Sequence, residues 1–420
     1  MFNWYFRANL PLRVLIGLVL GVFAGLILKD KVIYLKPFGE LFVRLLKMII
    51  VPVIILTLIS GASNIEPSRL GKIGIKVFIY YFIALAFATT IGLLAGNIFT
   101  PGVGLNLQGA HPITLKHLQA PSIIDVLLNI VPTNFIEAMA KGEILPIVFF
   151  SLLFGIALAF IRDSKNEKIK ASAEVLFQIF HSSTEVIFKM IRWILEYAPI
   201  GVFALMAYTI GTVGPKAVGP LAYVVLVVYI ALIFQIIIFY GGTLSLLKVN
   251  FWKFLKKAQE PFLMAFTTRS SDATLPVTIA TAQEKMGISE AVSAFTLPLG
   301  AKFNMDGTTL YEGVCALFVA QAIGLHLTLV QQLIVILTAI LASIGTAGVP
   351  AAGAIMLLLV LNSIGLKVEP GRPETLAYAM IFGIDALLDM ARTATNVLGD
   401  LTATTFVAKL ENEIDMSKWS

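Results

Sequence analysis

Residues 381–400, IFGIDALLDMARTATNVLGD, read as an apolar helix that nevertheless carries Asp385, Asp389, Arg392, Thr393, Asn396 and Asp400. Counted from Asp385, the acidic, basic and amide positions fall at steps of 4, 7, 11 and 15. At about 3.6 residues per turn these steps occupy about a quarter of the helix circumference. One stripe is wet or liganded, and the rest of the surface is apolar. A charge at the hydrocarbon centre costs roughly 2.5–3.5 kcal/mol on insertion scales, so four aligned charges require a protein interior that supplies partners. The stripe reads as the wall of a binding site.

The rest of the chain puts that helix in a membrane. Of 420 residues 58% are hydrophobic and 13% charged, and mean hydropathy is +0.89; a soluble domain carries about 25% charged residues. Recurring apolar runs of about 18–25 residues specify an all-α integral membrane protein rather than a barrel of short alternating strands. Spans are expected near 11–29, 38–62, 73–99, 127–161, 173–212 and 217–247. The first run has no small-x-small cleavage site and reads as a retained span. With both termini in the cytoplasm, Arg69, Lys72, Lys76, Arg162, Lys165, Lys168, Lys170, Lys248, Lys253, Lys256 and Lys257 fall inside. Lys29, Lys31, Lys36, Lys116 and Lys216 fall outside, which follows the positive-inside bias.

The net charge of +6 is spread over short loops and speaks for topology, not nucleic acid. A lone Cys315 excludes a disulfide framework and a cysteine metal cluster. His111, His117, His181 and His326 lie outside the polar motifs, no Ser-His or metal-ligand spacing occurs, and there is no phosphate-cradling Gly-rich loop with Lys. An enzyme and an ATP-driven pump are thereby disfavoured, and no organic cofactor is expected. A pore lined by the same polar residues stays open.

After residue 250 the pattern changes. Two short arms flank TTRSSDATLP at 267–276, and two more flank SIGTAGVPAAG at 343–353; between them a span over 289–325 is interrupted by Asn304-Met305-Asp306-Gly307-Thr308. Arms too short to cross the bilayer, joined at polar tips, read as re-entrant hairpins. Helix-packing kinks are the plainer alternative for a single Gly-rich break. Paired discontinuous segments point to a transporter with a midplane site.

These motifs, TRSSDATLP, FNMDGTTLY, SIGTAGVPAAG and DALLDMARTATNVLGDLT, resemble in kind and order those of the glutamate/aspartate transporter family, the dicarboxylate/amino acid:cation symporters, in prokaryotic form. The resemblance covers essentially the whole chain. It implies eight transmembrane helices and two re-entrant hairpins, with inverted repeats, assembled as a homotrimer in the inner (plasma) membrane. Residues 1–72 and 100–212 would form a scaffold, including an outer loop between the third and fourth helices. Residues 73–99 and 213–410 would form a transport domain moving as an elevator, with hairpins at about 254–288 and 330–366, a seventh helix at about 289–325 and an eighth at about 373–410. The second hairpin would be the gate.

The resemblance also implies roles. Arg392 reads the substrate's side-chain carboxylate, for which its planar fork is suited; an internal ion pair with Asp389 or Asp385 is the alternative. Asp389 takes the substrate amine, which favours aspartate or glutamate over C4-dicarboxylates, whose carriers in the family lack an acid there; a proton-coupled C4-dicarboxylate or neutral amino acid carrier on the same fold is the alternative. Thr393, Asn396, Ser270, Ser271, Arg269, Thr308, Val349 and Gly353 complete the pocket, although a Ser or Thr in a helix is often a back-bonder. Asp400 with the carbonyls of Gly300, Asn304 and Asn396 matches one sodium site, and carbonyls of Ser343, Ile344 and Thr346 a second. Asp306 with the Asn304 side chain matches a third.

Two departures bear on coupling. The family usually adds hydroxyls to the third site just after a Tyr pair; here Tyr80-Tyr81 is followed by Phe82, Ile83, Ala84 and Leu85, so that site is expected to be weakened. Asp272 and Lys302 stand where sodium-driven relatives have small or uncharged residues. Lys302 is expected either to pair with Asp272 or Asp306, replacing a cation's charge, or to snorkel to an interface. Coupling to Na+ or to H+ is left open, with Lys302, Asp272 and Asp385 as candidates.

Overall fold

Helix α1 (Leu10–Leu28) carries Gly17, Gly21 and Gly25 at four-residue intervals. They form a smooth stripe, and a Cβ there would strike the backbone oxygens of Pro199, Phe203 and Ala207 respectively. Close backbone approach of this kind is how helices associate where apolar lipid offers no hydrophobic driving force. The computed structural model describes residues 10–63, 72–105, 107, 128, 130–214, 218–346, 348 and 350–419. Among them α1, α2 (Lys36–Ser63) and α5 (Ile144–Arg162) pack on α6 (Glu167–Val213). Asn166 caps α6 by accepting from Lys168 and Ile169 N–H. Its 47 residues reach about 70 Å at about 1.5 Å per residue, farther than the hydrocarbon layer.

The remaining long helices gather round α15 (Pro373–Leu410), whose start is set by proline in its first turn. Helix α3 (Lys72–Phe99) lies on α12 (Asp306–Ala322). Helix α7 (Val218–Phe234) continues through a π turn, Gln235–Tyr240, into α8 (Gly241–Leu246). Hairpin 1 is α9 (Phe251–Thr268) and α10 (Ser271–Ala280), followed by a second π turn at Thr281–Lys285. Helix α11 (Glu290–Phe303) precedes α12, and hairpin 2 is α13 (Leu329–Gly345) and α14 (Ala352–Ser363). A C-terminal strap folds back on the base of hairpin 1, where Trp419 is buried and donates to the Met286 carbonyl at 2.7 Å.

Among the described residues, four helices are long and apolar enough to cross a membrane by length and composition, within Lys36–Ser63, Ile73–Phe99, Glu167–Thr212 and Gly219–Leu246. The chain is a multi-pass membrane protein. The expected span 127–161 is not one helix: α4 (Phe135–Lys141) stops at Gly142, which has φ 67°, and α5 begins at Ile144. Left-handed backbone at a glycine ends a helix whatever the hydropathy of its flanks. The hairpin tips are also tighter than the polar composition implied. Helix runs through Thr268 and resumes at Ser271, and in hairpin 2 it runs through Gly345. Of the expected functional and basic residues, Val349, Arg69, Lys116 and Lys216 lie outside the described residues, as do His111 and His117.

Candidate functional site

The stripe on α15 is buried throughout: Asp385, Asp389, Arg392, Asn396 and Asp400 are each 1–3% exposed. Arg392 donates through Nη1 and Nη2 to the Asp385 carboxylate at 2.8 and 3.4 Å, and through Nε to Asp389 Oδ1 at 3.1 Å. Its guanidinium also lies 4.4 Å from the centre of the Tyr311 ring. Two acids on one base give a buried, ion-paired cluster whose partners cannot be removed singly without leaving a bare charge.

Both hairpin tips address Asp389. Arg269 and Ala351 are non-glycine residues in the left-handed region, with φ 55° and 66°, a strain of about 1–3 kcal/mol each. Ala351 N–H donates to Asp389 Oδ2 at 3.0 Å, and Arg269 Nη1 stands 3.7 Å from the same oxygen. Thr393 Oγ1 donates to Oδ1 at 3.2 Å.

A small cavity of about 10 Å3 remains between the tips and α15, room for about one water. Arg269, Ser271, Thr308, Thr346, Gly353, Asp389, Arg392, Thr393 and Asn396 all line it. Gly353 is required by the close approach, since a Cβ would fall 2.8 Å from Thr308 Cγ2 and 3.0 Å from Arg392 Cζ. Asn396 accepts from Gly307 N–H at 2.8 Å and donates to Thr308 Oγ1 at 3.2 Å, which ties the start of α12 to α15. Ser270 does not line the cavity. It caps α10, accepting from Ala273 N–H, and donates to the Gly348 carbonyl across the gap.

Below the cavity the break between α11 and α12 at Asn304-Met305 gathers oxygens. Asn304 Nδ2 donates to Asp400 Oδ1 at 3.1 Å, and Tyr240 donates to Asp306 Oδ2 at 2.7 Å. Asn304 Oδ1 and Asp306 Oδ1 are buried without a hydrogen-bond partner, the condition a hard cation or a proton relieves. Gly300 lies beside Asp400, since a Cβ on it would crowd that carboxylate and the Tyr81 hydroxyl. Ser343 braces the break, donating to the Phe303 carbonyl at 2.9 Å and accepting from Met305 N–H at 3.2 Å. Thr346 is back-bonded to Ala342, and the Ile344 carbonyl turns toward Gly61 on α2. Of the four residues after the Tyr pair, Phe82 and Ile83 are exposed and Ala84 and Leu85 are buried, so the inward positions carry no hydroxyl.

Lys302 does not stand beside Asp306. Its ammonium bonds both oxygens of Asp272 at 2.7 Å on the half-exposed rim, because the last turn of α11 points it toward hairpin 1.

Three residues were missed in the sequence. Tyr240 reaches Asp306 through the π turn, and Tyr311 underlies Arg392. Glu312 is 1% exposed with neither carboxyl oxygen hydrogen-bonded; an acid six residues past Asp306 in an apolar helix was a legible signal.

A family model described as the sodium:dicarboxylate symporter family matches residues 10–410. The chain is 36% identical over 423 residues to a proton/sodium-glutamate symport protein of Geobacillus stearothermophilus, covering 98% of this chain and 97% of that one. It is 35% identical over 430 residues to the proton/glutamate-aspartate symporter of Escherichia coli K12, covering 98% and 95%. It is 34% identical over 421 residues to a C4-dicarboxylate transport protein of Rhodopseudomonas palustris BisB18, covering 99% and 90%.

Proposed function

The chain belongs to the sodium:dicarboxylate symporter family, a family of secondary transporters rather than enzymes, and from that premise we propose that it imports an acidic amino acid, aspartate or glutamate, on a cation gradient. The observation that carries this reading is the sharing of one cavity by Arg392 and Asp389. The substrate's side-chain carboxylate takes the guanidinium fork, which Asp385 holds at 2.8 Å. Its ammonium takes Asp389 in place of the Ala351 N–H. Its α-carboxylate meets the hydroxyl and N–H of Ser271 at the start of α10 and the Asn396 amide. A plain dicarboxylate would leave Asp389 facing a second anion.

The coupling ion is a cation received among Asp306, Asn304 and Asp400. Names of the relatives above include both sodium and proton. The buried, hydroxyl-free Ala84 and Leu85 favour a proton at Asp306 over a third sodium. The cavity-lining groups all lie between residues 269 and 396, which supports a transport domain of residues 73–99 and 213–410 whose α15 packs on α6. That domain slides as an elevator against a scaffold of 1–72 and 100–212 in a plasma-membrane homotrimer with cytoplasmic termini.

Equilibrium binding of labelled aspartate and glutamate to purified protein tests the site. Arg392→Ala abolishes binding on this reading, and unchanged affinity overturns it.

A further inference from the structure

Behind the cavity, Lys302 and Asp272 form a two-pronged ion pair, 46% and 34% exposed respectively. Asp272 is the second residue of α10, next to Ser271, which lines the cavity. Its other neighbour is Gly348 at the tip of hairpin 2. The Gly348 carbonyl accepts from Ser270 Oγ at 2.5 Å and from Asp272 N–H at 3.4 Å. A Cβ on Gly348 would fall 2.8 Å from the Asp272 carboxyl carbon. The Asp272 side chain is thus a surface on which the gate rests, and an acid in the first turn also stabilises α10.

The same position creates an electrostatic conflict. The Ser271 N–H at the start of α10 attracts an anion, yet a bare carboxylate on the next residue repels it across the half-exposed rim, where solvent screens only part of the charge. We propose that Lys302 is a positioning residue that acts as counter-ion to Asp272. It keeps the start of hairpin 1 receptive to a substrate carboxylate while Asp272 supports the closed gate. This rests on the acidic amino acid reading above. It separates two roles the pair combines, support by Asp272 and charge cancellation by Lys302, and the two roles predict different single-variant behaviour.

The test is equilibrium binding of labelled L-aspartate and L-glutamate to purified wild type, Lys302→Met, Asp272→Asn, the double variant and Lys302→Arg, with thermal melting to show that each is folded. Lys302→Met raises Kd about tenfold, equivalent to about 1.4 kcal/mol, because Asp272 is left uncompensated. Asp272→Asn, the double variant and Lys302→Arg each stay within about twofold of wild type. Wild-type affinity in Lys302→Met means an ammonium that only reaches the interface, and it overturns the proposal. So does a loss in Asp272→Asn equal to that in Lys302→Met, the mark of a purely structural clamp, or a tenfold loss in Lys302→Arg, which also serves if Lys302→Met does not melt cooperatively. A wild-type protein that binds neither amino acid overturns the substrate reading instead.

Discussion

The backbone N–H of Ala351 donates to Asp389 Oδ2 at 3.0 Å, so the tip of hairpin 2 is tied to the carboxylate assigned to the substrate's ammonium. On the proposed function, closure of hairpin 2 and recognition of the amine compete for one oxygen. Asp389→Asn removes the charge that holds an ammonium while leaving a carbonyl for Ala351. Its expected effect is a loss of about 100-fold in aspartate and glutamate affinity, about 2.7 kcal/mol, with a relative gain for succinate. Competition binding checks both directions.

Arg392 binds Asp385 through two nitrogens and Asp389 through a third, and lysine cannot reproduce that fork. Arg392→Lys is therefore expected to bind acidic amino acids at least about 100-fold more weakly although its charge is retained. Calorimetric titration measures it.

Gly353 leaves no room for a methyl group between Thr308 and Arg392. Gly353→Ala is expected to weaken substrate binding by about tenfold by pushing the guanidinium aside, and to lower the melting temperature, since overpacking a buried site costs about 1–3 kcal/mol. A melting curve beside a binding isotherm separates the two effects.

The stripe on α15 was legible because helical periodicity is local: its spacing alone aligned Asp385, Asp389, Arg392, Asn396 and Asp400. The breaks at Arg269-Ser270 and Asn304-Met305 were legible as interruptions, although composition overstated the width of the tips. What could not be read depends on backbone conformation. The N–H of Ala351 reaches Asp389 only because that residue turns left-handed, and Tyr240 meets Asp306 only through a π turn that shifts its direction. The break at Gly142 lies in the polar stretch Lys141-Gly142-Glu143, which the span reading over 127–161 passed over. The partner of Lys302 was left open between two acids, and the direction of the last turn of α11 selects Asp272.

Tyr240 is the hydrogen-bond donor to Asp306, whose second oxygen has no partner. Tyr240→Phe leaves a buried carboxylate with no donor from that side chain, which costs about 1–3 kcal/mol. Its expected signature is an altered dependence of transport on the driving cation, with substrate affinity at saturating cation nearly unchanged. Uptake measured across a series of sodium concentrations and pH values reports it.

Trp419 fixes the C-terminal strap, buried and bonded to the Met286 carbonyl. Trp419→Ala is expected to cost about 3–5 kcal/mol of stability and to lower the melting temperature without changing the KM for substrate, since the strap lies at the base of hairpin 1 and away from its tip.

Uptake of labelled aspartate and glutamate into proteoliposomes, under an imposed inward sodium or proton gradient and with equimolar unlabelled succinate, tests the central claim most directly. The predicted result is accumulation above equilibrium that collapses with the gradient and is not displaced by succinate. Equilibration without accumulation under either gradient would mean a pore, and displacement by succinate would mean that Asp389 does not select an amine.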